Sequence, residues 1–470
     1  MNNIKIALPK GRLLARTSAL LSQAGWGLDG YQEKARLYRI QSESLPRLSA
    51  RVFHEKDIPI QVAIGNYDLG ICGSDWIEEL LAKYPSSALM KVKNLKYGDG
   101  TLYAAASPSA GIDTVEAVRA RTGTIRIASE YPNLAESFAL ELRLRRFGIF
   151  PLWGGAEVYP PESAELALVC GTAEELPRYG LAPISQVLSV SAFLIANGNS
   201  WKAKDMAEVV SSIEEALIAE PAKHEKTKAS PVPESRYLPK EEPKDAVRLA
   251  LPDGHQQPPT QQLLGKAGIR LDDYPSPVGN RRPTTDLDGV TIKVIRPQDM
   301  PLQVANGNFD LAITGRDWLV EHLYQFPSSP VQEILDLKLG RVKIVAVVSQ
   351  EFSVADVGEL KGSARQEPLK VASEYINIAD KYARDNHLSH YRVVPTWGAS
   401  EAFLPEDADL LIENTQTGRT IARHNLKIID TLFESTACLI GSTGQVSNPV
   451  RQKRMKAIIK TISQAVEAIK

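Results

Sequence analysis

The sequence predicts an α/β protein built from two tandem copies of one domain. Four segments of the first half return in the second half in the same order, at an offset of 242 to 244 residues. Within each half, short apolar runs typical of buried strands alternate with amphipathic helical stretches. The halves are separated by 221–245, which is rich in proline and mixed charge and is typical of an exposed linker.

The repeats define the domain boundaries. The longest repeat, Asp57–Trp76, returns as Asp299–Trp318 with 13 of 20 positions identical. The other repeats are IKIALPKG with VRLALPDG, IASEYPN with VASEYIN, and WGGAE with WGASE. Chance does not produce four matches in one register, so we predict domains at 1–220 and 246–470, joined by the linker.

Individual elements can be predicted in the first copy. Ile4–Leu8 predicts a strand, Arg12–Ala24 predicts a helix with one apolar face, and Asp57 predicts a helix N-cap. Later elements are a strand at Asp68–Cys72, a helix starting near Trp76, and strands at Ile125–Ala128 and Leu166–Val169. This alternation predicts mainly parallel sheets, and roughly 220 residues per copy can form two lobes with a cleft between them.

Composition narrows the class of protein. The chain has 470 residues, of which 43% are hydrophobic and 24% charged, as expected of soluble globular domains. A net charge of −1 gives no reason to expect nucleic acid or a membrane surface as partner. The three scattered cysteines lack metal-ligand spacing and are typical of reduced cysteines. With no signal peptide pattern and no apolar run of membrane-spanning length, we expect a cytoplasmic protein.

The segment Ala408–Asn425 carries a ligand-binding pattern. An apolar run predicts a strand that leads into a polar loop and then into a helix start, an arrangement that holds phosphate on backbone N–H groups. Gly418 permits a tight turn, and Glu413 suits a sugar diol or a metal ion, so the loop predicts a phosphorylated-sugar site. The alternative is an ordinary polar loop capped by threonines. The candidate binding residues are Glu413, Thr415, Gln416, Thr417, Gly418, Arg419 and Thr420.

Taken together, these motifs resemble a known enzyme family. ALPKGRL, D-(I/M)-P-x-x-V-x-x-G-x-x-D-L-x-I-x-G-x-D, SEY-x-N, G-x-x-E and ENTQTGRT occur in the order of the ATP phosphoribosyltransferases, which catalyse the first step of histidine biosynthesis. The resemblance covers nearly the whole chain, twice. It implies a tandem duplication of a two-lobed fold of the type II periplasmic-binding-protein kind. It also implies transfer of phosphoribosyl from phosphoribosyl pyrophosphate to N1 of ATP, with Mg²⁺ required.

The resemblance also implies partners. Each copy has the length of the short form, which works with a histidyl-tRNA-synthetase-like regulatory subunit, so such a subunit and a homo-oligomer are expected. No protein ligand to Mg²⁺ is predicted, because the ion is expected to be held largely by substrate oxygens.

The two copies have kept different parts of the expected site. At offset 244, the second copy's Glu413, Thr417 and Gly418 align with Val169, Ala173 and Glu174. A buried glutamate at a phosphate loop would repel the anion, so we expect the first copy's loop to bind no phosphate. Conversely, the first copy has Lys10 and Arg12 where the second has Asp253 and His255.

Two further cations occur only in the second copy, namely Arg296 and Arg341, where the first copy has His54 and Asp99. The predicted catalytic residues are therefore Lys10, Arg12, Arg296 and Arg341. Glu401 is predicted beside the ribose together with Glu413.

Because the losses are complementary, we expect one composite site, in which Lys10 and Arg12, with Arg36, complete the second copy's cleft. The alternative is that these cations are solvated or form surface ion pairs, which contribute little.

Two other functions are open at this stage. One is a non-catalytic paralogue that binds a nucleotide or sugar phosphate and regulates a true enzyme. The other is a transport-type solute-binding protein with the same cleft fold, which the lack of a signal peptide pattern disfavours.

Overall fold

The computed structural model describes residues 3–28, 30–32, 38–219, 243, 245–277, 279–362, 367–398, 400–444 and 448–468. Apart from 243 and 245, the predicted linker 221–245 lies outside the described residues, and so does Arg36.

The first copy forms two α/β lobes. Its strands are β1 (Ile4–Lys10), β2 (Arg39–Gln41), β3 (Leu48–His54), β4 (Leu69–Gly73), β5 (Leu89–Asn94), β6 (Gly100–Ala106), β7 (Ile125–Ser129), β8 (Phe147–Pro151), β9 (Leu166–Gly171), β10 (Ala182–Val190) and β11 (Ala192–Asn197). Its helices are α1 (Leu14–Gln23), α2 (Asp57–Ala63), α3 (Ser74–Lys83), α4 (Val115–Ala120), α5 (Pro132–Glu141), α6 (Gly198–Ala203) and α7 (Ala207–Ala219). Lobe N1 is built on the sheet β2-β3-β1-β4-β11-β5, and lobe N2 on the sheet β10-β6-β9-β7-β8.

The second copy repeats this plan. Its strands are β12 (Val247–Pro252), β13 (Leu271–Asp272), β14 (Thr284–Thr285), β15 (Val290–Ile295), β16 (Leu311–Gly315), β17 (Val331–Asp336), β18 (Val342–Ser349), β19 (Leu369–Ser373), β20 (Tyr391–Pro395), β21 (Leu410–Thr415), β22 (Leu426–Ser435) and β23 (Ala437–Ser442). Its helices are α8 (Gln257–Lys266), α9 (Met300–Ala305), α10 (Arg316–Gln325), α11 (Val357–Gly362), α12 (Ile376–Asp385), α13 (Arg419–Arg423) and α14 (Pro449–Glu467). Lobe C1 is built on β15-β12-β16-β23-β17, and lobe C2 on β20-β19-β21-β18-β22.

These lobes confirm the predicted tandem duplication of a two-lobed α/β fold of the type II periplasmic-binding-protein kind. The prediction of mainly parallel sheets is wrong. Parallel pairs such as β1–β3 and β7–β8 form part of each sheet, but β10 and β11 pair antiparallel with their neighbours. They do so because the chain leaves the first lobe, builds the second, and returns to the first in the opposite direction.

The two copies cross over each other, so that N1 packs against C2 and N2 packs against C1. One apolar core joins Phe53 of N1 to Phe403 of C2, with ring centroids 5.1 Å apart. A second core joins Tyr159 of N2 to Phe309 of C1. Equivalent residues of the two copies therefore make equivalent contacts, and a pseudo-twofold axis relates the copies.

Buried ion pairs follow the same symmetry. Arg51 is 5% exposed, and its Nη1 lies 3.0 Å from Oδ2 of Asp407 in C2. At the equivalent contact, Glu162 of N2 accepts from Arg282 Nη1 at 2.5 Å and from Lys293 Nζ at 2.7 Å in C1. Charges withdrawn from water need such partners, so these pairs fix how the copies meet.

The side chains of the repeated aspartates make no helix-capping hydrogen bond, and Asp299 contacts the other copy instead. The prediction of Asp57 as an N-cap is wrong, because α2 begins at Asp57 itself and Lys56 is the cap residue. In the second copy, Asp299 Oδ1 accepts a hydrogen bond from the backbone N–H of Trp153 in N2 at 3.0 Å. Burial raises the pKa of Asp299 to about 8.

We expect Arg51→Ala to lower the free energy of unfolding by about 3–5 kcal/mol, because Asp407 would be left charged and buried without its partner. Arg39→Ala removes a half-exposed cation that also pairs with Glu406, and should cost about 1 kcal/mol or less. Urea unfolding of the two variants checks the difference, and equal losses would contradict this account of the interface.

Candidate active site

The predicted phosphate loop lies at the carboxyl end of β21 in lobe C2. Gly418 has φ +70°, a left-handed conformation that favours glycine, and its N–H donates to Thr415 Oγ1 at 2.9 Å. Gln416, Thr417, Arg419 and Thr420 are exposed to solvent. The turn therefore presents hydroxyl groups to solvent, and its role in binding phosphate stays a prediction.

Three carboxylates gather beside this loop. Ser400 Oγ donates to Glu413 Oε2, and the backbone N–H of Asn414 donates to Glu413 Oε1 at 2.8 Å. Burial, followed by the nearby charge of Glu374, raises the pKa of Glu413. Burial and Glu401 likewise raise the pKa of Glu374. Such acceptors suit the hydroxyl groups of a ribose, whose hydrogen bonds would relieve the crowded negative charge.

A tyrosine ties the start of the loop to lobe C1. Tyr375 Oη donates to Asp317 Oδ2 at 2.6 Å and accepts from Asn414 Nδ2 at 3.0 Å. Ser435 Oγ also donates to Asp317 at 2.9 Å. The SEY motif therefore links the two lobes of the second copy across their cleft.

Lys10 approaches this region from the first copy. Its Nζ lies 5.6 Å from the ring centroid of Tyr38, whose ring is 5.1 Å from that of His424, the residue after α13. Burial and the charge of Glu401 raise the pKa of Tyr38. The N1–C2 contact thus brings Lys10 to the side of the second copy that carries the loop and Glu401.

The structure does not bring Arg12 to the same place. Its Nε lies 3.0 Å from Glu55 Oε2 and its Nη2 lies 2.6 Å from Asp75 Oδ2, both in N1. Its Nη1 donates to Cys170 Sγ of N2 at 3.8 Å. Arg12 therefore bridges the two lobes of the first copy. The prediction that Arg12 completes the cleft of the second copy is not supported by these contacts.

Arg296 also faces the first copy. Its Nη1 lies 3.2 Å from Asp253 Oδ2, and a side chain at Gly154 of N2 would meet its Nε at 3.0 Å. Under the pseudo-twofold axis its counterpart is His54, which stands on the side of Lys10. Burial and nearby cations, first Lys56 and then Lys10, lower the pKa of His54 to about 4, so its ring is neutral near pH 7.

Arg341 lies at the surface, where its side chain is 72% exposed and its Nη1 is 3.5 Å from Glu434 Oε2. Exposed pairs of this kind contribute little to stability. Neither predicted arginine of the second copy has a described contact with the loop at 415–420.

In the first copy's loop, a side chain of the loop itself takes one backbone donor. Glu175 Oε2 accepts a hydrogen bond from the backbone N–H of Thr172 at 3.0 Å. Glu174, expected to be buried at this position, is exposed. A carboxylate on a loop N–H takes a donor that a phosphate would need and repels the anion.

The described residues include no group of three or more His, Cys, Asp or Glu side chains arranged to hold a metal ion. A resident Mg²⁺ site on the protein is therefore not supported by the described side chains. No helix within the described ranges is long and apolar enough to cross a membrane.

Comparison with known proteins decides the family. The family model described as HisG: ATP phosphoribosyltransferase matches residues 54–217 and 296–464. The chain belongs to the ATP phosphoribosyltransferase family. Membership makes it a phosphoribosyl-transferring enzyme.

Individual relatives match about half of the chain. An ATP phosphoribosyltransferase from Prosthecochloris aestuarii is 30% identical over 232 residues, which are 48% of this chain and 73% of that protein. One from Saccharolobus solfataricus is 36% identical over 208 residues, 43% of this chain and 66% of that protein. A solved ATP phosphoribosyl transferase (HisG:HisZ) complex from Thermotoga maritima is 19% identical over 47% of this chain and 99% of that chain, with a TM-score of 0.38.

Sequence reasoning missed several residues of this family member's candidate site. Glu374 is the glutamate of the second SEY motif and recurs as Glu130 in the first, and that repetition was a usable signal. Tyr38 and His424 carry no such signal, because their rings meet through the packing of N1 on C2.

We expect Arg12→Ala to lower the free energy of unfolding by about 1–3 kcal/mol, since it leaves the buried carboxylate of Asp75 without its cation. Lys10→Ala should change stability little, because Lys10 is exposed. Urea denaturation compares the two variants, and an equal loss for Lys10→Ala would show that Lys10 is structural.

Proposed function

We propose that the chain joins N1 of ATP to C1′ of phosphoribosyl pyrophosphate, forming N1-(5-phosphoribosyl)-ATP and releasing pyrophosphate, at one composite site per chain. The observation that carries the proposal is the loop at 415–420 with its adjoining carboxylates, together with Lys10 on the same side. On this view the enzyme serves the first step of histidine biosynthesis in the cytoplasm.

The chemistry requires positioning more than proton transfer. Adenine N1 attacks with its own lone pair, and the electrons of the breaking C1′–O bond leave with the pyrophosphate. The protein must hold the two substrates in line and stabilise the charge that develops on the leaving group.

In our proposal the loop holds the 5′-phosphate through Thr415, Thr417 and Thr420. Glu401 and Glu413 accept hydrogen bonds from the ribose hydroxyls. Mg²⁺ would accompany the substrate, held by pyrophosphate oxygens, since the described side chains offer no metal site.

The cations of the site differ from those expected. Lys10 is the first copy's contribution, and the neutral ring of His54 stands beside it. Arg12 is not part of the proposed site, because its polar contacts lie within the first copy. Arg296 could contact the pyrophosphate only if its side chain left Asp253. Arg341 could contact it only if its exposed side chain folded over the cleft.

A second function is favoured by one observation. Arg296 is paired with Asp253, and neither Arg296 nor Arg341 has a described contact with the intact loop. A chain that binds phosphoribosyl pyrophosphate without turning it over would regulate a true enzyme. Saturable binding without pyrophosphate release in the presence of ATP would establish this alternative.

A histidyl-tRNA-synthetase-like regulatory subunit and assembly into a homo-oligomer remain predictions from the family resemblance. Size-exclusion chromatography with light scattering, with and without such a subunit, measures both.

We predict that phosphoribosyl pyrophosphate binds with one site per chain and that Gly418→Val abolishes binding. A β-branched side chain at φ +70° is strained, so the loop would change its shape. The matched control is Ala173→Ser in the first copy's loop, which should leave binding unchanged. Isothermal titration measures both, and two sites of similar affinity per chain would refute the asymmetry.

We predict that Lys10→Ala lowers kcat/KM by about 10- to 100-fold, the loss expected when one charge-assisted hydrogen bond to substrate disappears. Lys202→Ala removes an equal charge from an exposed helix and should have no effect. A pyrophosphate-release assay with ATP provides the rates. Unchanged kinetics in Lys10→Ala would remove the first copy from the site.

A further inference from the structure

A cavity of about 580 Å³ lies on the pseudo-twofold axis, between the two copies. Many of its lining residues occur as equivalent pairs, including Trp76 with Trp318, Trp153 with Trp397, and Glu130 with Glu374. The loop residues 415–420 are not among its described lining residues. A cavity of this volume accommodates a small organic molecule.

Aromatic rings form its walls. The ring of Trp153, from the first copy, lies 5.6 Å from that of Trp318 and 6.4 Å from that of Trp397, measured between centroids. Trp318 is in turn held by Tyr375, with centroids 4.4 Å apart. Walls of this kind favour flat apolar molecules and attract cations through their ring faces.

On the first copy's side, the chain supplies its own cation. Lys56 Nζ lies 4.7 Å from the ring centroid of Trp76 and 3.5 Å from Glu130 Oε2. The ammonium group therefore sits between an indole face and a carboxylate, although its side chain is only 8% exposed. In this half of the cavity, the walls therefore accommodate an ammonium group.

On the second copy's side, Gln298 takes the position of Lys56, while Trp318 and Glu374 are retained. The Oε1 atom of Gln298 is buried without a hydrogen-bond partner among the described residues. Burial and Glu401 raise the pKa of Glu374, and among the described residues no lysine or arginine is a cause of that shift. In the described part of the chain, the aromatic wall and carboxylate are thus present without the cation that pairs with them in the first copy.

We propose that this cavity binds a small organic cation with a flat apolar body. Its positive group would lie at Glu374 and Gln298 as Lys56 lies at Glu130, with its body against the tryptophans. ATP and phosphoribosyl pyrophosphate are polyanions, which the carboxylates of the cavity repel, so this ligand differs in chemistry from both proposed substrates. Glu374 also belongs to the carboxylates beside the loop at 415–420, but binding of this cation does not require that the loop be catalytic.

Benzamidine, an aromatic amidinium, is a suitable probe, and benzamide is its uncharged counterpart of the same shape. Four of the chain's six tryptophans line the cavity, so intrinsic fluorescence reports on its occupancy, and equilibrium dialysis gives the stoichiometry. We expect saturable binding of one benzamidine per chain and binding of benzamide at least about tenfold weaker.

Gln298→Lys would place the chain's own cation beside Glu374 and should weaken benzamidine binding by at least about tenfold. Gln332→Lys adds the same charge at an exposed position of β17 and should leave binding unchanged. Equal binding of benzamide and benzamidine, unchanged binding by a folded Gln298→Lys variant, or absence of saturable binding would each overturn the proposal. The comparison of the two probes uses the unmodified chain and so does not depend on how any variant folds.

Discussion

Each copy of this domain buries its apolar surface against the other copy, and the rest of the structure depends on that crossed packing. Phe53 reaches the core of C2, and Arg51 neutralises the buried Asp407 there. The equivalent contact joins N2 to C1 through Glu162. Burial of apolar area drives the association, and the buried charges restrict it to one arrangement, because a shifted interface would leave them unpaired.

The same packing lets one chain do what a symmetric dimer cannot. In a dimer of identical subunits every substitution appears at both equivalent positions, whereas in a fused pair the positions diverge separately. Lys10 can face the loop at 415–420 while its counterpart Asp253 pairs with Arg296 at the other contact. In the first copy's loop, the exposed Glu175 accepts a hydrogen bond from the backbone N–H of Thr172. The two loops therefore differ, because the first copy's loop holds a carboxylate of its own on a backbone donor.

The sequence predicted the features that depend on local patterns. Duplication, the two-lobed fold and the turn at Gly418 follow from repeats, apolar periodicity and the need for glycine at positive φ. It could not predict which lobe faces which, and so it assigned Arg296 to the loop at 415–420, whereas Arg296 pairs with Asp253 and lies against Gly154 of the first copy. Arg12 was misplaced for a related reason, since its partners Glu55 and Asp75 are distant in sequence and are selected only by folding. An alignment shows which residues are equivalent, but not which residues they contact.

A structure of the chain with phosphoribosyl pyrophosphate bound tests the central claim most directly, since it shows which lobes and which copy contribute to the site. The account predicts one molecule per chain, with its 5′-phosphate on the loop at 415–420, its ribose hydroxyls at Glu401 and Glu413, and Lys10 Nζ within hydrogen-bonding distance of the ligand, about 3 Å. A molecule in each copy, or one contacted only by residues of the second copy, would contradict it.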